Sequence, residues 1–198
     1  ETIDRQLLLH FWNGTVAEAK SANGIYSANY KLAILIVLFI QAFRMGAEPF
    51  FFQQAGSENA PRTYARVMKL FVIVCCLCFL FIVLFLDVWK SLITIKDKRY
   101  ALGIMTVPLL ALAKIFLGVY YNLSIWYKLT DKNIYGAWIT IAGAAITIVI
   151  NITLIPVIGY YASAIATVAC YSFMMIACYR LGQKYYPIPY AVKKLISY

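Results

Sequence analysis

The stretch Asn133–Tyr179, NIYGAWITIAGAAITIVINITLIPVIGYYASAIATVACYSFMMIACY, contains no Asp, Glu, Lys or Arg. A helix that crosses the hydrocarbon core of a bilayer needs about 20 consecutive apolar residues, so this run has room for two. The break falls in IPVIGYY, where Pro156 cannot continue a helix and Gly159 suits a tight turn. Working outward, Leu70–Leu86 is uncharged between Lys69 and Asp87, and Tyr100–Tyr127 carries only Lys114. Lys31–Phe52, KLAILIVLFIQAFRMGAEPFFF, is equally apolar but encloses Arg44 and Glu48. Hydrophobic residues make up 63% of the 198-residue chain and charged residues 13%, against about 45–50% and about 25% in soluble domains. Mean hydropathy is +0.75. These values exclude a soluble domain and imply a polytopic membrane protein.

Backbone polar groups in lipid must be satisfied within the chain, so the spans are expected to be helices. The fold class is therefore all-α, an integral membrane helical bundle. Five spans are expected, at about Ile25–Gln53, Ala65–Leu86, Tyr100–Trp126, Tyr135–Ile155 and Tyr160–Leu181. Thr2–Trp12 reads as the tail of a preceding span and Tyr190–Tyr198 as the head of a following one. We expect residues 1–198 to form one transmembrane lobe, internal to a longer protein. Alternation puts Arg62, Arg66, Lys69, Lys128, Lys132, Arg180, Lys184, Lys193 and Lys194 on one side. Lys20, Lys31, Lys90, Lys96, Lys98 and Arg99 fall on the other. The richer side is expected to be cytoplasmic. Trp89, Tyr100, Trp126, Tyr127, Tyr135, Trp138, Tyr160, Tyr161, Tyr185 and Tyr186 lie near span ends, as an interfacial aromatic belt would.

The net charge of +10 sits in connections between apolar runs, where topology signals lie, and so argues against a nucleic-acid partner. Cys75, Cys76, Cys78, Cys170 and Cys178 all fall inside apolar runs and read as small hydrophobes. They form neither a disulfide framework nor a zinc motif. Small residues recur at helical spacing in spans four and five: Gly136, Thr140 and Ala144; Gly143 and Thr147; Ala162, Ala166 and Cys170. They read as plain helix packing.

Arg44 and Glu48 are four apart and can pair on one helix face. Gln41 lies on nearly the same face. Pro49 removes the hydrogen bond to the Met45 carbonyl and favours a kink there, and Gly46 loosens the same turn. Such interrupted half-spans occur near transporter sites, and equally a buried structural ion pair would account for the two charges. Lys114 lies near the middle of its span, too far from either end to snorkel, so it must face protein or a wet cavity. Pro108, less than two turns away, is expected to kink that helix. Asn122, Asn151 and the threonines of span four read as interhelical hydrogen-bonding groups. His10 is the sole histidine, and neither a metal cluster, a nucleophile–base set nor a phosphate loop is visible. Catalytic and metal-ligating residues are therefore expected to be absent.

GIYSANYKLAILIVLFIQAFRMGAEPFFF, YYNLSIWYKLTDKNIYGA, NITLIPVIGYYASAIAT and GQKYYPIPY resemble the second half of bacterial polysaccharide-biosynthesis flippases. These belong to the multidrug/oligosaccharidyl-lipid/polysaccharide exporter superfamily. The opening ETIDR resembles the end of that family's seventh helix, and the likeness runs in order over essentially the whole chain. It implies about fourteen helices in two lobes around a central cavity, moving substrate by alternating access. Here the N-terminal lobe would be missing, and this piece would be the tail of helix seven through helix twelve and the start of thirteen. The implied substrate is an undecaprenyl-diphosphate-linked oligosaccharide, carried across the bacterial cytoplasmic membrane for O-antigen, capsule or exopolysaccharide assembly. The implied partners are that lipid-linked substrate, membrane lipid and the missing lobe; no cofactor and no enzymatic step are implied. Arg44 and Lys114, with Gln41, are the substrate-binding candidates, and Glu48 is the candidate for ion coupling. A drug or small-cation antiporter of the same superfamily is the alternative, and a membrane glycan polymerase or acyltransferase a more distant one.

Overall fold

The computed structural model describes residues 2–95 and 98–190. The chain runs through α1 (Thr2–Phe11), α2 (Val16–Gln54), α3 (Ala60–Leu84) and α4 (Leu86–Thr94), then a 3₁₀ helix (Lys98–Gly103). It continues through α5 (Thr106–Leu123), α6 (Ile125–Leu129), α7 (Asn133–Ile158) and α8 (Tyr160–Tyr185). No strand occurs among the described residues. Five helical segments are long and apolar enough to cross a membrane: α2, α3, α5 with α6, α7 and α8. The chain is an all-α polytopic membrane protein. Of the expected terminal segment Tyr190–Tyr198, all but Tyr190 lies outside the described residues.

The helix ends differ from the apolar runs for identifiable reasons. α2 begins at Val16, not near Ile25, because Thr15 and Glu18 form a capping box. The Thr15 amide donates to Glu18 Oε2 (2.8 Å) and the Glu18 amide to Thr15 Oγ1 (3.3 Å), satisfying two amides that a helix start otherwise leaves bare. α3 begins at Ala60 with Pro61 in its first turn, where a missing N–H costs nothing. The third expected span is divided into the 3₁₀ helix, α5 and α6. Its Pro108 does not interrupt the middle of a span, because it lies in the first turn of α5. Pro156 does not end α7 either: the helix runs through it to Ile158. The reversal falls at Gly159, whose φ of 61° and ψ of −138° suit a residue without a Cβ. A Cβ at Gly159 would also come within 2.9 Å of the Trp12 ring.

α5 is the central helix, the most buried of the five spans, with α2, α3 and α8 packed around it. α7 lies on the far side of α8, and α1 packs against both α2 and α7. Ile36, Ile40, Phe71, Cys75, Val107 and Ala111 fill the core where α2, α3 and α5 meet. At one end of the bundle Asn13 Nδ2 donates to the Pro156 carbonyl (2.9 Å), and Asn29 Nδ2 to the Tyr100 carbonyl (2.9 Å). At the other, the Tyr64 hydroxyl donates to the Phe51 carbonyl (2.8 Å). Successive spans thus run antiparallel. The surface carries Leu77, Leu84, Trp138, Ile141 and Val149, all more than half exposed, as a lipid-facing surface would.

Two readings of residue role change. Trp126 and Tyr127 are not belt residues but core, at 1% and 9% exposure. Trp126 stacks on Tyr185 with centroids 5.7 Å apart. The small-residue stripe divides by function. Gly143 brings α7 onto α8: a Cβ there would lie 3.0 Å from Met174 and 3.1 Å from Cys170 Sγ. Thr140, Ala144 and Thr147 instead face an open cleft.

Candidate functional site

That cleft, of about 390 Å³, lies between α1, α2, α5, α7 and α8. α2 contributes Val37 and Gln41, α5 Leu117 and Tyr121, and α7 Thr140, Ala144 and Thr147. α8 adds Thr167, Cys170, Tyr171 and Met174, and α1 adds Ile3 and Asp4. Hydroxyls, an amide, two phenols and one carboxylate thus share the wall with apolar side chains. Neutral donors and acceptors beside aromatic rings can bind a hydroxyl-rich molecule, taking its oxygens by hydrogen bonds and its apolar faces by contact.

The amphipathic register of α1 directs Asp4 inward, because Leu8, one turn on, is fully buried. Asp4 is 3% exposed, and its Oδ1 accepts from Asn151 Nδ2 (3.1 Å). The same amide donates to the Thr147 carbonyl (2.9 Å), and Asn151 Oδ1 accepts from the Ser163 hydroxyl (2.8 Å). Thr167 Oγ1 donates to the Ser163 carbonyl (2.8 Å). Asn151 therefore does join helices, as expected of it, and ties α1, α7 and α8 together around a buried carboxylate. Asp4 was missed by the sequence reading. The available signal was its spacing from Leu8 on the apolar stripe of α1.

Lys114 faces the bundle interior. Its ammonium donates to the Tyr30 hydroxyl and lies 4.6 Å from the Tyr30 ring centroid and 5.5 Å from that of Tyr171. The Arg5 guanidinium stands 5.3 Å from the same Tyr30 ring. Lys114 is 0% exposed, so in this conformation it offers no surface to a molecule in the cleft; Tyr171 does. Lys114 and Arg44, both candidates from the sequence, lie in two separate clusters.

The second cluster lies toward the α2–α3 turn. Arg44 Nε donates to Glu48 Oε1 (3.1 Å), and Lys128 Nζ donates to that same oxygen (2.7 Å). The Arg44 guanidinium sits over the Tyr121 ring at 4.3 Å, so Tyr121 separates this cluster from the cleft it also lines. Gln41 lies in the cleft, one turn from Arg44. The predicted Arg44–Glu48 pair is present. Lys128, read only as a topology charge, is its third member, brought in because the third span continues as α6 beyond Trp126.

The chain matches no model of a known protein family, no curated protein and no solved structure. Fold and site together define a helical membrane protein with five candidate spans among the described residues and a cleft of mixed polar and apolar lining between its helices.

Proposed function

We propose that this chain is one lobe of a transporter that moves oligosaccharide units on a polyprenyl diphosphate carrier across the bacterial cytoplasmic membrane. It is not an enzyme in this reading, and the second wall of the path comes from the N-terminal lobe of the same protein. The observation that carries the reading is the cleft, where Gln41, Thr140, Thr147 and Thr167 share the wall with Tyr121 and Tyr171. The three threonine hydroxyls donate to carbonyls of their own helices, and each can still accept from a glycan hydroxyl, as can the Gln41 amide oxygen. The Arg44–Glu48–Lys128 cluster beside the cleft carries one positive charge in excess, which suits a diphosphate. The sequence resemblance to polysaccharide flippases supports the same assignment.

Filling the cleft tests it. Gln41→Leu combined with Thr140→Leu should cause carrier-linked oligosaccharide to accumulate on the cytoplasmic leaflet of cells matched for protein level. A well-inserted double variant that flips like the parent overturns the reading.

One observation favours a second reading, a drug or small-cation antiporter: the Asp4 carboxylate lines the same cleft. Under that reading Asp4→Asn abolishes cation export, and the cleft-filling pair leaves glycan assembly untouched.

A further inference from the structure

Two cations from different helices converge on one oxygen. Arg44 on α2 and Lys128 on α6 are far apart in sequence, yet both donate to Glu48 Oε1, at 3.1 and 2.7 Å. Charge-assisted donors that meet at one point form an oxyanion site. We infer that Glu48 is a built-in occupant of such a site, and that a phosphate or diphosphate group enters by displacing its carboxylate. The inference deepens the transport reading and rests on it for a lipid-borne source of the phosphate; the oxyanion point itself is read from the geometry.

Three features favour displacement over binding alongside. The adjoining void is only about 10 Å³, lined by Arg44, Glu48, Lys128, Tyr121 and Asn122. That is space for about one water, so a phosphate fits only where the carboxylate now sits. Arg44 is held from behind by the Tyr121 ring, so its position does not depend on Glu48 alone. The Glu48 side chain is 33% exposed and can swing out, whereas the buried Lys114 cluster has no such exit.

The exchange also sets a preference. Replacing one carboxylate by another is like for like, whereas a dianion brings a second charge and more acceptor oxygens to the same two cations. The site should therefore select phosphate and diphosphate over carboxylates. Arg44 presents five N–H donors, of which Glu48 engages the Nε group, leaving a fork suited to two phosphate oxygens.

The experiment uses the full-length protein in nanodiscs of zwitterionic lipid, with inorganic diphosphate as the probe and acetate as the control. Glu48→Gln should bind diphosphate about tenfold tighter than the parent, because the internal competitor has lost its charge. Glu48→Asp, whose carboxylate falls short of both cations, should lie between them, and it serves if the glutamine variant folds poorly. Adding Arg44→Gln or Lys128→Gln to Glu48→Gln should abolish the gain, and acetate should bind every form more weakly than diphosphate does. Nanodiscs containing a polyprenyl diphosphate, compared with the free polyprenol, separate the two sources. Only the diphosphate lipid should compete with the probe if the ligand is lipid-borne, and neither should if it is a soluble phosphate. Unchanged diphosphate affinity in both Glu48 variants overturns the inference, as does a gain that survives loss of Arg44 and Lys128. A gain in binding with no change in glycan flipping sinks the transport reading and leaves the site intact.

Discussion

Lys114 and Arg44 are both cations inside apolar runs, yet the bundle treats them differently. Lys114 is fully enclosed between α2, α5 and α8, with its ammonium on the Tyr30 hydroxyl and rings on either side. Arg44 is about one-third exposed, paired with Glu48 and stacked on Tyr121. A charge with no exit contributes to the fold by filling volume and meeting fixed partners. A charge with an exit can exchange partners. Hydropathy cannot separate the two cases, but burial does, and the mutational consequences should follow burial.

The largest effect is expected at Lys114. Lys114→Ala removes a long buried side chain and should cost about 2–5 kcal/mol, as buried large-to-Ala changes do. Thermal unfolding in detergent and steady-state abundance read it. Lys114→Met sharpens the comparison because it keeps most of the volume and discards the charge. Because the volume is kept, this variant should be less destabilised than Lys114→Ala, and the remaining loss reports what the ammonium's partners contribute. A stable Lys114→Met protein that no longer transports assigns the ammonium a role beyond packing. One that transports normally removes Lys114 from the substrate path. Charge reversal at Lys114 is the less informative change, since it alters charge and side-chain volume together at a fully buried position.

Tyr30 comes next. Tyr30→Phe keeps the ring beneath Lys114 and Arg5 but deletes the hydroxyl that accepts from the ammonium. Losing one acceptor for a buried charged donor should cost about 1–3 kcal/mol. A change below a few tenths would show that the Lys114 site is wetter than its burial implies, and would weaken the contrast with Arg44.

The apolar runs were legible because hydropathy is a property of contiguous residues. Asn133–Tyr179 divided into α7 and α8 as its length required, and the turn fell at Gly159 as expected, although α7 runs on through Pro156. The start of α2 was misplaced although Thr15 and Glu18 had the spacing of a capping box. There the apolar run outweighed a local signal. What could not be read was which helix faces which. Asp4 meets Asn151 across 147 positions and Lys128 meets Glu48 across 80, and no periodicity within one helix reports its neighbour. The two membrane tyrosines of the cleft were hidden for the same reason: Tyr121 and Tyr171 look like any interior aromatic until α5 and α8 are placed side by side.

The smallest effect on stability, and the most discriminating one, is expected at Arg44. Arg44→Ala removes one of two cations on Glu48, but Lys128 remains 2.7 Å from the same oxygen, so the carboxylate keeps a partner. A partly exposed pair is worth about 0–1 kcal/mol, and the variant should unfold within about 1 kcal/mol of the parent. Its stacking on Tyr121 adds to that figure only modestly, since the ring stays in place against the core. Under the proposed reading the functional effect runs the other way, because the excess positive charge of the cluster disappears with Arg44. Export per molecule should then fall by far more than protein level does. The two quantities are read in the same cells, as carrier-linked oligosaccharide on the cytoplasmic leaflet and as protein abundance. Arg44→Lys refines the outcome: it restores charge without the planar fork, so partial recovery points to electrostatics and no recovery to bidentate geometry. If Arg44→Ala lowers only abundance, and the remaining protein exports normally, then Arg44 belongs with Lys114 as a structural charge. Exposure would then be no guide to function in this bundle.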